Sequence, residues 1–88
     1  MSKITFAEVA WEESLYWQSQ DKRTLKKINN LLKSIQREPY AGEGKPETLK
    51  DSPEGEWSRR INEKDRLVYI VNNENITITQ CKGHYNDK

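Results

Sequence analysis

The 88-residue chain has one cysteine, Cys81, and one histidine, His84. An internal disulfide is excluded, and no Cys or His pair stands at a spacing that binds zinc. A cytoplasmic protein with no metal and no organic cofactor is expected. Long apolar runs are also missing. Residues 1–6 carry one lysine but nothing resembling a signal peptide, and no segment approaches a membrane span, so neither export nor a membrane partner is indicated. Hydrophobic residues make up only 33% of the chain, the same share as charged ones. The core must therefore be thin, and residues 1–88 have material for a single domain and no more.

Charge is unevenly spread beneath a net value of +1. Residues 1–21 hold Lys3 against Glu8, Glu12, Glu13 and Asp21. In residues 22–50 the balance reverses, with eight bases against Glu38, Glu43 and Glu47. Residues 51–88 are nearly neutral, six bases facing seven acids. A basic middle is compatible with a polyanion docking on one face. Charge alone equally describes a solvated helix surface, which is the commoner case.

Only four glycines and three prolines punctuate the chain. Residues 3–6 read as a short first strand. Residues 8–20, free of both, read as a helix, with Trp11 and Leu15, or Ala10 and Trp17, at helical spacing. Asp21 is a good N-cap for a second helix, in which Leu25, Ile28, Leu31, Leu32 and Ile35 recur every three or four residues. Pro39 stops that helix near Glu38. Gly42, Gly44 and Pro46 mark one loop, and residues 51–55 with Pro53 a second, with the short segment 47–50 between them. Beyond Gly55 the period becomes two. Residues 56–61, 66–71 and 75–82 read as strands joined by short polar links, hence antiparallel neighbours. The expected class is α+β: β-α-α-β-β-β, a small antiparallel sheet with two N-terminal helices on one face and the other face open to a ligand.

Arg59, Arg60 and Arg66 fall on two neighbouring strands. A guanidinium fork can hold two phosphate oxygens at once and keeps its charge at any physiological pH. Cross-strand pairing with Glu56, Glu63 or Asp65 is an equally good reading. His84, followed by Tyr85 close to the end of the chain, is by itself an ordinary surface residue. Taken with Glu47 and the arginines, it completes a set able to cleave RNA through the 2′-hydroxyl: a base, cations for the phosphorane and an acid for the leaving 5′-oxygen. Imidazole suits the acid because its usual pKa of about 6.5 leaves both forms populated near neutrality.

Several separated segments match one known family in order. They are Tyr16-Trp17, Asp21-Lys22-Arg23, Lys26-Lys27-Ile28-Asn29, Gly44-Lys45-Pro46-Glu47, Leu49-Lys50, Trp57-Ser58-Arg59-Arg60-Ile61, Arg66-Leu67-Val68-Tyr69 and His84-Tyr85. Over nearly its whole length the chain resembles the YoeB/Txe-type toxins of the RelE superfamily, from type II toxin–antitoxin systems. The resemblance implies a ribosome-dependent mRNA endonuclease that cuts the A-site codon on the 70S ribosome and is silenced by a cognate antitoxin of the YefM/Axe kind. It also implies a homodimer. By position, Glu47 would be the general base, His84 the general acid, Arg66 the transition-state cation and Tyr85 an orienting or stacking residue. Lys50, Arg59 and Arg60 would hold RNA, and Lys22, Lys26, Lys27 and Lys33 would be candidates for ribosomal RNA contact.

Three features depart from the family pattern. Gly83 replaces an aromatic residue, which implies a looser catalytic end. Asp65 stands in place of a histidine, which implies a weaker cationic field beside Arg66. Asn86-Asp87-Lys88 extend the chain past the tyrosine. Two alternatives use the same residues differently: a non-cutting toxin resembling the ParE-type gyrase inhibitors, and a nucleic-acid-binding module without catalysis. Retention of Glu47, Arg66, His84 and Tyr85 together favours the nuclease.

Overall fold

Two helices meet at a single residue, Asp21. In the computed structural model, which describes residues 2–83, α1 spans Glu8–Gln20 and α2 spans Lys22–Arg37. Asp21 is extended, and its carboxylate accepts from the Thr24 backbone N–H at 3.1 Å and the Thr24 hydroxyl at 2.8 Å. The cap satisfies an otherwise orphaned amide of the first turn. Thr24 also holds the Asp21 carboxyl below its ordinary pKa. At the other end Pro39 keeps Glu38 extended and α2 stops.

Five strands form one sheet: β1 Lys3–Phe6, β2 Glu47–Thr48, β3 Trp57–Arg60, β4 Arg66–Asn72 and β5 Asn75–Gln80, in the order β1-β5-β4-β3-β2. The α+β class and the helix–sheet layering are as the sequence predicts. The sheet is mixed, however. β2 to β5 are antiparallel neighbours, whereas β1 lies parallel to β5, with Lys3 opposite Asn75 and Phe6 opposite Ile78. Short links force β3, β4 and β5 to alternate direction, but both helices intervene between β1 and the rest, so no turn dictates its sense. The segment 47–50 contributes the two residues of β2 to the far edge.

The core fills the gap between the helices and one face of the sheet. Ile28, Leu31 and Ile35 of α2 meet Leu67, Tyr69, Ile76 and Ile78 of the strands, all nearly or fully shut off from solvent. Each such side chain contributes roughly 1.5–3 kcal/mol over an exposed one. α1 supplies Ala10, Ser14 and Trp17 from one stripe. It leaves Val9, Trp11, Leu15 and Tyr16 in solvent.

The core also contains a charge. Arg59 is 0% exposed and points to the helix side of the sheet, beside its cross-strand partner Leu67. All five guanidinium N–H groups are used. Nε donates to the Tyr69 hydroxyl at 3.1 Å, Nη1 to Ser34 Oγ at 2.8 Å and the Glu43 carbonyl at 2.9 Å, and Nη2 to the Glu38 and Ala41 carbonyls at 2.7 and 2.8 Å. Tyr69 in turn donates to the Pro39 carbonyl at 2.7 Å. The loop from 38 to 44 is therefore wound around one side chain. Gly44 permits the close approach, since a Cβ there would stand 2.8 Å from Leu31 Cδ2 and 3.1 Å from Arg59 Cβ. Its carbonyl accepts from the Arg60 N–H at 2.7 Å, tying the loop to β3 next to β2.

Hydrogen bonds to a charged group contribute about 1.5–3 kcal/mol each. Arg59→Ala should therefore cost at least about 3 kcal/mol in urea denaturation, because several buried acceptors lose partners together. Arg59→Lys should recover little, since an ammonium has three donors and no fork. A lysine variant as stable as the parent would show that the charge, not the five-bond geometry, organises the loop.

Candidate active site

Side chains of directly opposed residues in antiparallel strands point to the same face, and residues two apart along a strand share it. Glu47 faces Ser58, Ser58 faces Val68, and Val68 faces Gln80, forming one row. One step along, Arg60 faces Arg66. Glu47, Arg60 and Arg66 thus share the face turned away from the helices. Strand spacing of about 4.8 Å and a rise of about 3.4 Å per residue put the Cα atoms of Glu47 and Arg66 roughly 12 Å apart. Ser58 and Val68 form a buried floor between them. Glu47 and Arg60 are exposed and Arg66 is half-buried, with Lys50 exposed just beyond β2.

Two arginines directly opposite each other repel. The acids near them in sequence do not neutralise the pair. Glu56 is bonded to Ser52 and Thr79, and the buried Asp65 carboxylate accepts from Asn62 Nδ2 at 3.1 Å and the Gly83 N–H at 2.7 Å. Arg66 Nη1 donates to the Asn62 and Asp65 carbonyls at 2.7 and 3.1 Å, which fixes the guanidinium near the 62–65 turn. Among the described residues the ion pair is Lys27–Glu43, at 3.5 Å. Among the described residues the cross-strand salt bridges allowed by the sequence are not made. Asp65 directs its carboxylate to Asn62 and Gly83, and Arg66 bonds to the Asp65 carbonyl.

Other candidates fall elsewhere. Arg59, expected to hold RNA, is corrected to a structural role: it lies on the opposite face with no exposed surface and no free donor. Lys22, Lys26 and Lys33 project from α2 into solvent, and Lys27 is half-buried beside Glu43. A cleft of about 380 Å³ between α2 and the end of β3 brings Lys27 together with Lys45 and Arg60. Lys45 stands in the Gly44-Lys45-Pro46-Glu47 segment but was not among the site candidates. A hollow of about 540 Å³ on α1 is lined by Glu8, Glu12 and Glu13, a poor setting for phosphate, and it is separate from the sheet face that carries the arginines.

His84 and Tyr85 lie outside the described residues. The chain leading to them is held tightly. Trp17 Nε1 donates to the Cys81 carbonyl at 2.8 Å, and the Cys81 N–H donates to Glu13 Oε1 at 2.7 Å. The Gly83 carbonyl accepts from the Arg66 N–H at 3.0 Å and from Gln80 Nε2 at 2.9 Å. With its N–H on Asp65, Gly83 has both backbone groups engaged, at a φ of +87° that favours glycine. Burial pushes the Cys81 thiol up to about 12, with the Glu13 and Asp65 charges adding to the effect, so it is no nucleophile at neutral pH.

Comparison with known proteins bears on the family and the fold. Residues 6–85 match the model of the YoeB-like toxins of bacterial type II toxin–antitoxin systems. The chain is 49% identical over 83 residues to Toxin YoeB of Escherichia coli strain K12, covering 94% of this chain and 99% of that one. The YoeB dimer from Staphylococcus aureus superposes with a TM-score of 0.89 at 50% identity, over 96% of this chain and 98% of that one. A heterotetrameric YoeB–YefM toxin–antitoxin complex from the same organism gives 0.87 at 50% identity, over 97% and 99%. The chain belongs to the YoeB-like toxin family.

Burial is the main cause that raises the Glu13 pKa, and it outweighs the Cys81 hydrogen bond and the nearby Lys82 charge, which lower it; the Asp65 charge adds slightly to the rise. A carboxyl raised in the folded state binds its proton more tightly there than in the unfolded chain. Its stabilising contribution is present below the unfolded pKa and is lost as pH rises through the folded one. Glu13→Gln keeps an acceptor for the Cys81 N–H without the charge. Thermal melts at pH 4 and pH 7.5 should show the variant gaining on the parent at the higher pH. A relative loss there would mean that the ionised carboxylate is the favoured partner.

Proposed function

We propose that this protein is a ribosome-dependent mRNA endonuclease that cuts within the A-site codon by general acid–base catalysis, without a metal. The observation that carries the reading is the hydrogen bond from the Arg66 N–H to the Gly83 carbonyl. It fastens the residue preceding His84 to the backbone of the arginine that shares a sheet face with Glu47.

In this reading Glu47 removes the 2′-hydroxyl proton. The 2′-oxygen bonds to the adjacent phosphorus, the bond from phosphorus to the 5′-oxygen breaks, and His84 protonates the departing oxygen. A 2′,3′-cyclic phosphate and a 5′-hydroxyl end result. Arg66 stabilises the phosphorane, Tyr85 orients or stacks on the nucleotide, and Arg60 and Lys50 hold the flanking backbone. Each proton transfer supplies about a hundred- to ten-thousandfold. Alignment of the mRNA by the ribosome supplies a comparable or larger share. Lys22, Lys26 and Lys33 on the exposed side of α2, with Lys27 at the cleft beside it, contact ribosomal RNA through phosphate.

The YoeB dimer and the YoeB–YefM complex support a homodimer and a cognate antitoxin of the YefM/Axe kind for this chain. The apolar side chains that α1 leaves in solvent provide surface for such contacts.

Purified protein added to mRNA-programmed 70S ribosomes should yield 5′ ends inside the A-site codon. Free mRNA should survive, and His84→Gln should abolish the cuts while still binding antitoxin. Intact mRNA in the presence of a folded protein would instead point to a non-cutting toxin of the gyrase-inhibiting kind.

A further inference from the structure

Asp65 is 6% exposed, and a carboxylate removed from water needs strong partners. Its two oxygens are used on different segments. Oδ2 accepts from Asn62 Nδ2 within the β3–β4 turn, and Oδ1 accepts from the Gly83 N–H across 18 residues of sequence, at 2.7 Å. The turn is itself braced. Asn62 Oδ1 accepts from the Lys64 and Asp65 N–H groups at 2.8 and 2.7 Å, and the Asp65 carbonyl accepts from the Ile61 N–H at 3.0 Å. A rigid turn thus presents one acceptor to one amide, and that amide belongs to the residue before His84.

We propose that Asp65 is a positioning residue for the C-terminal acid, its buried carboxylate fixing Gly83, the residue before His84, against Arg66. The proposal rests on the reading of His84 as general acid. Three groups grip Gly83 from two strands and the turn between their neighbours: Asp65 on its N–H, and the Arg66 N–H and Gln80 Nε2 on its carbonyl. Asp65 is covalent neighbour to the transition-state cation and hydrogen-bonded neighbour to the segment bearing the acid. It couples the two without touching substrate.

A lost general acid can be bypassed if the leaving group needs no proton, so the discriminating probe is an mRNA carrying a sulfur in place of the 5′-oxygen at the A-site scissile phosphate, compared with the ordinary oxygen substrate on 70S ribosomes. For the oxygen substrate, Asp65→Ala should lower single-turnover kcat about ten- to hundredfold with KM little changed. With the sulfur leaving group the deficit should largely vanish, as it should for His84→Gln. Gln80→Ala, which removes a different grip on Gly83 and leaves the turn intact, should give a smaller loss with the same sulfur suppression. Asp65→Asn, which keeps one acceptor for Gly83 but sets two amide NH2 groups together at Asn62, should fall between. Rescue of His84→Gln but equal losses on both substrates for Asp65→Ala and Gln80→Ala would overturn the positioning role and leave a purely structural one. Failure of sulfur to rescue His84→Gln would remove the general-acid reading, and the positioning proposal with it.

Discussion

Almost every element that frames the open sheet face is referenced to one guanidinium. Arg59 ties the last turn of α2 through Ser34, the loop beyond it through three carbonyls, and β4 through Tyr69. A thin core cannot supply that definition through packing alone, because a chain with equal charged and hydrophobic shares has few side chains to interlock. A buried charge with all its donors used substitutes geometry for volume. Its value lies in directionality, as five bonds at fixed angles admit one loop conformation where apolar contacts would admit several. β2, with Glu47, follows that loop, so the placement of the candidate base depends on a residue on the opposite face of the sheet.

The site is therefore assembled from two independent restraints. On one side Arg59 and Gly44 set the edge carrying Glu47 and Lys50. On the other, the 62–65 turn and the end of β5 set Arg66 and the chain leading to His84. β3 and β4 lie between them as a rigid spacer. The sheet register fixes the lateral distance and sets Arg60 opposite Arg66. Like charges set directly opposite each other cost stability at that pair.

Much of this was legible in the residues. Asp21, Pro39 and the three–four spacing of α2 define that helix locally, and alternation gives three of the strands. Non-local pairing was not legible: nothing in residues 3–6 says that they lie parallel to β5. The difference between Arg59 and Arg60 was present in the sequence but was not used. Trp57, Arg59 and Ile61 share one parity on the strand, and the parity of two core residues assigns the arginine between them to the core face. Ser34, a polar residue in the apolar stripe of α2, is the complementary signal, since a buried hydroxyl needs a partner and Arg59 is that partner. Asp65 was read from its charge and its place beside Arg66, whereas its role follows from a contact 18 residues away. The roles of Asn62 and Gln80 depend on the same closure of the chain, and no local pattern reveals them.

The parallel pairing of β1 with β5 bears on how the protein is made. Its first strand has no neighbour in the sheet until the last one exists, with Lys3 waiting for Asn75. Closing so long a loop comes late in folding. The grips on Cys81 and Gly83 likewise form only once β5 and the residues directly after it are in place. The outer edge strand of the sheet and the segment that leads to His84 are thus completed in the same late step.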